Sequence, residues 1–156
     1  MREVPIIELA DAIKAKIKAS SHTRALSFVD LDDFWSMDTN LSQLSVPCAV
    51  LEYIGNENTD QSRHGVVQQV HHFAINYVDK VAAVGSKRRD FLIGLREIQR
   101  PFNSGRYLEE NLELDVAGVE LTRVFSPKAE VSNDLKDRNL NWGRVYLDVE
   151  ANVNEA

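Results

Sequence analysis

Three aspartates that lie close together are the residues of this sequence best suited to metal chemistry. Asp30 and Asp32 share one face if their segment is a strand, with Asp33 beside them, and paired carboxylates can hold Mg²⁺ in nucleases. Such a nuclease also needs a lysine shortly after an acid on a nearby strand, and the acidic segment 148–150 lacks it. A solvated turn is the favoured interpretation, and a small metal-dependent nuclease is the lesser alternative.

The histidines and the one cysteine do not form a recognisable metal or nucleophile site. His71 and His72 are neighbours in a strand-like segment, so their side chains are expected on opposite faces. His22 and His64 are distant in the sequence, whereas zinc needs three or four converging ligands. Cys48 stands at the head of an apolar strand and is expected to be a small core residue. We therefore predict no metal site.

Motifs for phosphate binding and nucleophilic catalysis are missing from the sequence. Gly85-Ser86-Lys87 has serine and lysine in the wrong order for a P-loop, and the required earlier glycine is lacking. No serine stands in a G-x-S-x-G elbow. We predict no catalytic residue and no cofactor, and we expect that the protein is not an enzyme.

The composition is that of one globular domain, with 156 residues of which 44% are hydrophobic and 27% charged. The net charge of −6 argues against non-specific nucleic-acid binding, because phosphate contacts need clustered lysine and arginine. We expect no specific nucleic-acid binding either. A single cysteine excludes an intrachain disulfide. No apolar run is long enough for a bilayer, and residues 1–5 do not resemble a signal peptide. We expect a cytoplasmic protein with no membrane partner.

Helical periodicity predicts two amphipathic helices. The first helix follows Pro5, and its predicted buried stripe is Ile6, Leu9, Ala10, Ile13 and Ile17. The second begins after Ser86, a suitable N-cap, and is predicted to end early at Pro101. The buried stripe predicted for it is Phe91, Leu92, Leu95, Ile98 and Phe102.

Apolar runs and period-two alternation predict the strands, which cover residues 25–34, 47–54, 66–78, 112–116, 119–123 and 145–151. The polar segment 55–65 is predicted to be a connector, 126–141 a mobile loop or arm, and 152–156 a frayed tail. Because the connections are of antiparallel type, we expect one α+β domain over residues 1–156. Its sheet should be mixed and mainly antiparallel, with two principal helices packed on one face.

One cluster of basic residues lies where the dipole of the predicted helix disfavours positive charge. Lys87, Arg88 and Arg89 occupy the first turn of the second helix, where the helix dipole makes each cation unfavourable by on the order of a few tenths of a kcal/mol. Asp90 offsets only part of this effect. A solvated, screened face is the simpler interpretation, and an acidic partner or neighbouring subunit is the functional one.

The order of elements and the residue patterns of several stretches resemble those of the tail terminator, or tail-completion, proteins of long-tailed bacteriophages. These include the Mu-like prophage proteins and the lambda-like minor tail protein U. The similarity covers most of the chain. It rests on the amphipathic helix 6–13, the segment 47–52, the long strand 70–77, the helix 89–100 and a terminal alternating strand.

The resemblance implies a structural, non-enzymatic role in a phage or prophage tail. Such proteins form a ring, commonly a hexamer, on the end of the finished tail tube, where they stop polymerisation and present a surface to the head. The implied partners are further copies of the chain, the tail tube protein and the head–tail connector protein. The implied locations are the host cytoplasm during assembly and then the neck end of the virion tail.

The residues expected at subunit or partner interfaces are basic residues of the second helix and of the two long polar segments. They are Arg63, His64, Lys87, Arg88, Arg89, Lys128, Lys136 and Arg138. A head–tail connector or other neck protein stays open as an alternative from the same assembly. A stand-alone binding module is a further alternative beside the nuclease.

Overall fold

The computed structural model describes residues 6–18, 27–28, 47–61, 66–80, 87–103, 119–134 and 139–154. Within these ranges the chain forms two α-helices and six β-strands. The helices are α1 (Ile6–Lys18) and α2 (Lys87–Asn103). The strands are β1 (Ser27–Phe28), β2 (Cys48–Gln61), β3 (Val66–Lys80), β4 (Val119–Phe125), β5 (Ala129–Ser132) and β6 (Leu140–Asn154).

The two longest strands, β3 and β6, form the centre of the sheet. They pair antiparallel over their whole lengths, from Val66 opposite Asn154 to Lys80 opposite Leu140. Strand β2 pairs antiparallel with the other edge of β3, and β1 joins β2 in parallel. Strands β4 and β5 pair with successive stretches of the free edge of β6. The predicted α+β class with a mixed, mainly antiparallel sheet is confirmed.

Both helices pack on the same face of this sheet, as predicted. Leu9, Ile13 and Ile17 of α1 are fully buried, because they recur at helical spacing on one side of the helix. They join the stripe of α2 and the inward side chains of the strands in one core. The buried members from α2 and the strands are Phe91, Leu95, Ile98, Phe102, Ala49, Phe73, Ile75, Tyr77, Val124, Val145, Leu147, Val149 and Ala151.

Two predictions for α2 are wrong. The helix continues through Pro101 to Asn103 instead of ending early, because proline has a helical φ and the hydrogen bond it removes lies in the last turn. This extension buries Phe102, which is 2% exposed. Leu92, which we placed in the buried stripe, is 45% exposed, because each residue turns the helix by about 100° and moves Leu92 away from Phe91.

The prediction of a polar connector over 55–65 is also wrong for most of its length. Strand β2 runs on to Gln61, with irregularities between Tyr53 and Gly55 and between Asn58 and Asp60. Backbone pairing with β3 sustains the strand there although residues 56–58 are exposed. Residues 62–65 lie outside the described ranges.

Strand structure also replaces part of the predicted arm over 126–141 and of the predicted frayed tail over 152–156. Ala129–Ser132 forms β5, paired with β6 from Val145 to Trp142, and residues 152–154 pair with the start of β3. The long partner strand stabilises both segments through backbone hydrogen bonds that composition does not reveal. Residues 135–138, 155–156 and 112–116 lie outside the described ranges, and of the strand predicted over 25–34 only 27–28 is described.

The edge strand formed by β4 and β5 is interrupted by a bulge at Ser126–Lys128. Pro127 has no backbone N–H that could donate a hydrogen bond to β6. The Ser126 hydroxyl instead donates to Tyr146 O over 2.6 Å and accepts from Gln99 Nε2 of α2 over 3.0 Å. Tyr146 N donates to Lys128 O over 3.0 Å. A buried hydroxyl therefore fastens the bulge both to β6 and to α2.

A glycine allows α2 to approach the centre of the sheet. A Cβ atom on Gly143 of β6 would lie 2.7 Å from Leu95 Cδ1 and 3.2 Å from Phe91 Cζ. Tyr77, the strand partner of Gly143, stacks on the Phe91 ring with 5.0 Å between ring centres. The missing side chain thus makes the space that the Leu95 and Phe91 side chains fill.

We expect Gly143→Ala to lower the free energy of unfolding by about 1–3 kcal/mol, because an extra methyl forces a well-packed core apart. Urea denaturation measures the change. The double variant Gly143→Ala/Leu95→Ala should lose less than the two single variants lose together, since removing the Leu95 methyl groups relieves the overlap. Strict additivity would contradict the proposed overlap.

We expect Ser126→Ala to lower the free energy of unfolding by about 1–2 kcal/mol, because the buried Tyr146 carbonyl loses a hydroxyl donor. Ser132→Ala is the matched control at the end of β5. The Ser132 hydroxyl accepts one exposed hydrogen bond, from Asp134 N over 3.2 Å, so its removal should lower stability by less. Urea denaturation compares the two variants, and equal midpoints would contradict a special stabilising role for Ser126.

Candidate functional site

The sheet face turned away from both helices carries a group of charged, polar and aromatic side chains. They come from β2, β3, β6 and the segment that contains β5, because strand residues alternate between the two faces. We call this group the outer sheet face. Its members are Glu52, Glu57, His72, Asn76, Lys128, Glu130, Trp142, Arg144, Tyr146 and Asp148.

His72 lies between two carboxylates on this face. Its Nδ1 is 2.6 Å from Asp148 Oδ1 and its Nε2 is 2.8 Å from Glu57 Oε1. Since ionised carboxylates only accept hydrogen bonds, both ring nitrogens must carry protons for both bonds to form. Burial lowers the pKa of His72, but the hydrogen bonds and negative charges of Asp148 and Glu57 outweigh it and raise the pKa overall. The arrangement favours an imidazolium cation.

A β-bulge brings Glu57 to His72. Tyr53 pairs with Phe73, but the next aligned pair is Gly55 with His72. One extra residue in β2 reverses which side chains face outward beyond it. Gly55 has a φ of 153°, a conformation that glycine adopts far more readily than residues with a Cβ. The glycine and the bulge together place the Glu57 carboxylate on the outer sheet face.

A second set of hydrogen bonds joins β2, β3 and β6 nearer the buried end of the face. Arg144 Nη2 donates to Glu52 Oε1 over 2.6 Å. Asn76 is fully buried, and its amide donates to Val50 O over 3.3 Å. The Asn76 oxygen accepts from Trp142 Nε1 over 3.1 Å. These bonds fix the outward side chains in position across three strands.

Tyr146 forms the third set, at the side of the face next to β5. Its hydroxyl donates to Glu130, and this hydrogen bond is the main cause that raises the pKa of Tyr146. Lys128 Nζ lies 4.6 Å from the centre of the Tyr146 ring, and the Arg144 guanidinium carbon lies 5.2 Å from it. The ring therefore holds two cations beside an acidic group.

His71 lies on the other face, as predicted from strand alternation, and has the opposite chemistry. It is 3% exposed, and its Nε2 lies 3.1 Å from Gln69 Oε1. Because that oxygen only accepts, Nε2 carries the proton and Nδ1 accepts from the Tyr53 hydroxyl over 2.9 Å. Burial, and then the charge of His72, lowers the pKa of His71. The neutral ring is therefore favoured.

Cys48 and the aspartate cluster are the remaining candidates for catalysis or metal binding. Cys48 is fully buried, which confirms it as a core residue, and burial raises its thiol pKa to about 11. Such a thiol is a poor nucleophile at neutral pH. In the described ranges no three histidine, cysteine, aspartate or glutamate residues are grouped to hold a metal ion. The cluster Asp30, Asp32 and Asp33 lies outside those ranges.

The structure does not bring the predicted interface residues together where it describes them. Arg89 is exposed in the first turn of α2, whereas Lys128 belongs to the outer sheet face on the opposite side of the sheet. Lys87 and Arg88 begin α2, but their side chains are not described. The remaining predicted residues lie outside the described ranges: Arg63, His64, Lys136 and Arg138.

The exposed side of α2 carries a surface that the sequence interpretation missed. We call it the outer stripe of α2, and its members are Arg89, Leu92, Ile93, Arg96 and Arg100. Leu92 and Ile93 are 45% and 49% exposed. The available signal was that Phe91, Leu92 and Ile93 are consecutive, so one helical face cannot bury all three.

Comparison with protein-family models finds no match, and a search of curated proteins finds no similar sequence. Neither helix in the described ranges is long and apolar enough to cross a membrane.

We expect variants of the two adjacent histidines to change stability with opposite pH dependence. The raised pKa of His72 contributes stability that is fully present below the unfolded-state value of about 6.5 and is lost as pH rises through the folded value. His72→Gln should therefore lower the free energy of unfolding by about 1 kcal/mol near pH 5.5, and by less near pH 9.

His71→Gln is the matched control on the other face. The lowered pKa of His71 destabilises the native protein as pH falls below about 6.5, because the unfolded chain then binds the proton more readily. The loss caused by His71→Gln should therefore be greater near pH 9 than near pH 5.5, by roughly the linkage energy of the shift. Urea denaturation across this range measures both trends, and parallel trends would contradict the assigned charge states.

Proposed function

We propose that this protein is a structural tail assembly protein of a phage or prophage. In this proposal it caps the tail tube, terminates its polymerisation and forms the interface that joins the head. It acts as a ring of identical copies, with six as the proposed number. Its partners are other copies of itself, the tail tube protein and the head–tail connector protein, first in the host cytoplasm and then at the neck end of the tail.

The observation that carries this proposal is the pair of unlike surfaces on opposite sides of the domain. The outer stripe of α2 exposes Leu92 and Ile93 beside three arginines. The outer sheet face presents carboxylates held in place by cross-strand hydrogen bonds, among them Glu57 and Glu130. Two different surfaces on one subunit suit head-to-tail contacts, which close into a ring when the rotation between copies allows it.

The character of the outer sheet face also supports an assembly role. The polar groups of His72, Asn76 and Tyr146 are all engaged by neighbours within the chain. Such a network orders its side chains before any partner arrives, and this lowers the entropy lost on association. A rigid, charged face of this kind supports recognition by a complementary protein surface.

We expect the purified protein to form rings in solution whose mass is about six times the 17.6 kDa of one copy. Light scattering measures the mass, and negative-stain microscopy shows the shape. Rings added to growing tail tubes should cap one end and stop elongation. A protein that stays monomeric at all concentrations and leaves tubes uncapped would contradict the proposal. Rings that bind the head connector but leave tube growth unchanged would favour a neck protein instead.

A further inference from the structure

We infer that the outer stripe of α2 of one copy binds the outer sheet face of a second copy. This inference rests on the proposed ring and names the two surfaces that would form each contact. Every copy uses each surface once, because the two lie on opposite sides of the same domain. We expect a second copy to bind the stripe, because the chain as a whole carries a net charge of −6 whereas this stripe is basic.

The outer stripe is arranged as one continuous face of α2. Arg89, Arg96 and Arg100 recur at helical spacing and are all exposed. Leu92 and Ile93 lie between them, about half exposed at 45% and 49%. The buried side chains of α2 point the other way, to the core. Arg100 Nη1 is 3.7 Å from Glu97 Oε1, a contact on an exposed side chain that leaves the guanidinium accessible to a partner.

The outer sheet face offers exposed carboxylates to the arginines of the stripe, although His72, Lys128 and Arg144 lie on the same face. Glu57 and Glu130 are its most exposed carboxylates, with side chains 65% and 50% exposed. Glu57 already binds His72, and Glu130 already binds Tyr146 and lies 4.0 Å from Lys128 Nζ. A carboxylate can accept several hydrogen bonds. The Tyr146 ring lies beside Glu130 but already contacts Lys128 and Arg144, so the carboxylates are the groups that the stripe would meet.

The end-to-end lengths of the two surfaces differ, but the difference is within the reach of arginine side chains. Arg89 and Arg100 are separated by about 16 Å along the helix axis, at about 1.5 Å per residue. Glu57 and Glu130 stand on β2 and β5, three strand spacings apart and several residues apart along the strands, which gives roughly 25 Å. Two long arginine side chains, one at each end of the stripe, cover the difference, so that both ends can meet a carboxylate at the same time.

Charge reversal on each surface tests the inference. Arg89→Glu/Arg100→Glu makes the stripe acidic, and Glu57→Arg/Glu130→Arg makes the sheet face basic. Each double variant alone should weaken self-association by at least about tenfold, because like charges then meet across the contact. An equal mixture of the two should restore rings of wild-type mass in which the variants alternate, since both kinds of contact are again complementary. Light scattering and mass spectrometry of intact rings measure these outcomes.

Lys14→Glu/Lys18→Glu is the matched control, because it changes the net charge as much as Arg89→Glu/Arg100→Glu on two lysines of α1 that belong to neither surface. It should leave the rings intact. Restoration by mixing also shows that each variant is folded. Circular dichroism checks that each variant is folded. If wild-type rings form and both reversed variants still form them, or if folded variants restore nothing on mixing, the assigned surfaces are wrong while the proposed function stands. If the wild-type protein forms no rings, the proposed function itself fails.

Discussion

The antiparallel pairing of β3 with β6 determines which face each side chain of the sheet occupies. The register is unbroken from Val66 opposite Asn154 to Lys80 opposite Leu140. Paired side chains of the two strands therefore lie on the same face of the sheet over the whole length. Phe73 and Leu147 therefore meet under the helices, and in the adjacent pair His72 and Asp148 meet on the outer face. A slip of one residue would exchange core and surface on a whole strand. The apolar alternation of β6 is what makes such a slip unfavourable.

The irregular positions of the sheet are as important as the regular ones. The extra residue in β2 beside Gly55 turns Glu57 to the outer face, and the bulge at Ser126–Lys128 turns the edge strand while the Ser126 hydroxyl supplies a bond to β6. Gly143 gives α2 its place against the centre of the sheet. Each of the two bulges occurs next to a long regular strand, which supplies the stability that the local backbone lacks.

The sequence predicts those elements whose apolar pattern is complete within the element. The stripes of α1 and α2 and the alternation of β6 are of this kind, and so the α+β class follows from them. The extension of β2 and the short β5 cannot be predicted in this way. Their exposed polar residues show no apolar alternation, and their pairing depends on a strand distant in sequence. The contact of His72 with Asp148 joins residues far apart in sequence, and only the register of β3 and β6 specifies it. The exposure of Leu92 does not follow from its apolar character, because apolar side chains often remain on the surface.

The two adjacent histidines show how strand alternation produces a surface of fixed charge. His72 meets two carboxylates and is favoured as a cation, whereas His71, on the buried face, is favoured as a neutral ring. The charge on His72 further lowers the pKa of His71, so the two states support each other across the sheet. Because His72 partly neutralises Glu57 and Asp148, the outer sheet face keeps its carboxylates in fixed positions without strong mutual repulsion. Positioned charges of this kind act on an approaching surface more effectively than mobile side chains of the same net charge, since less order must be created on contact.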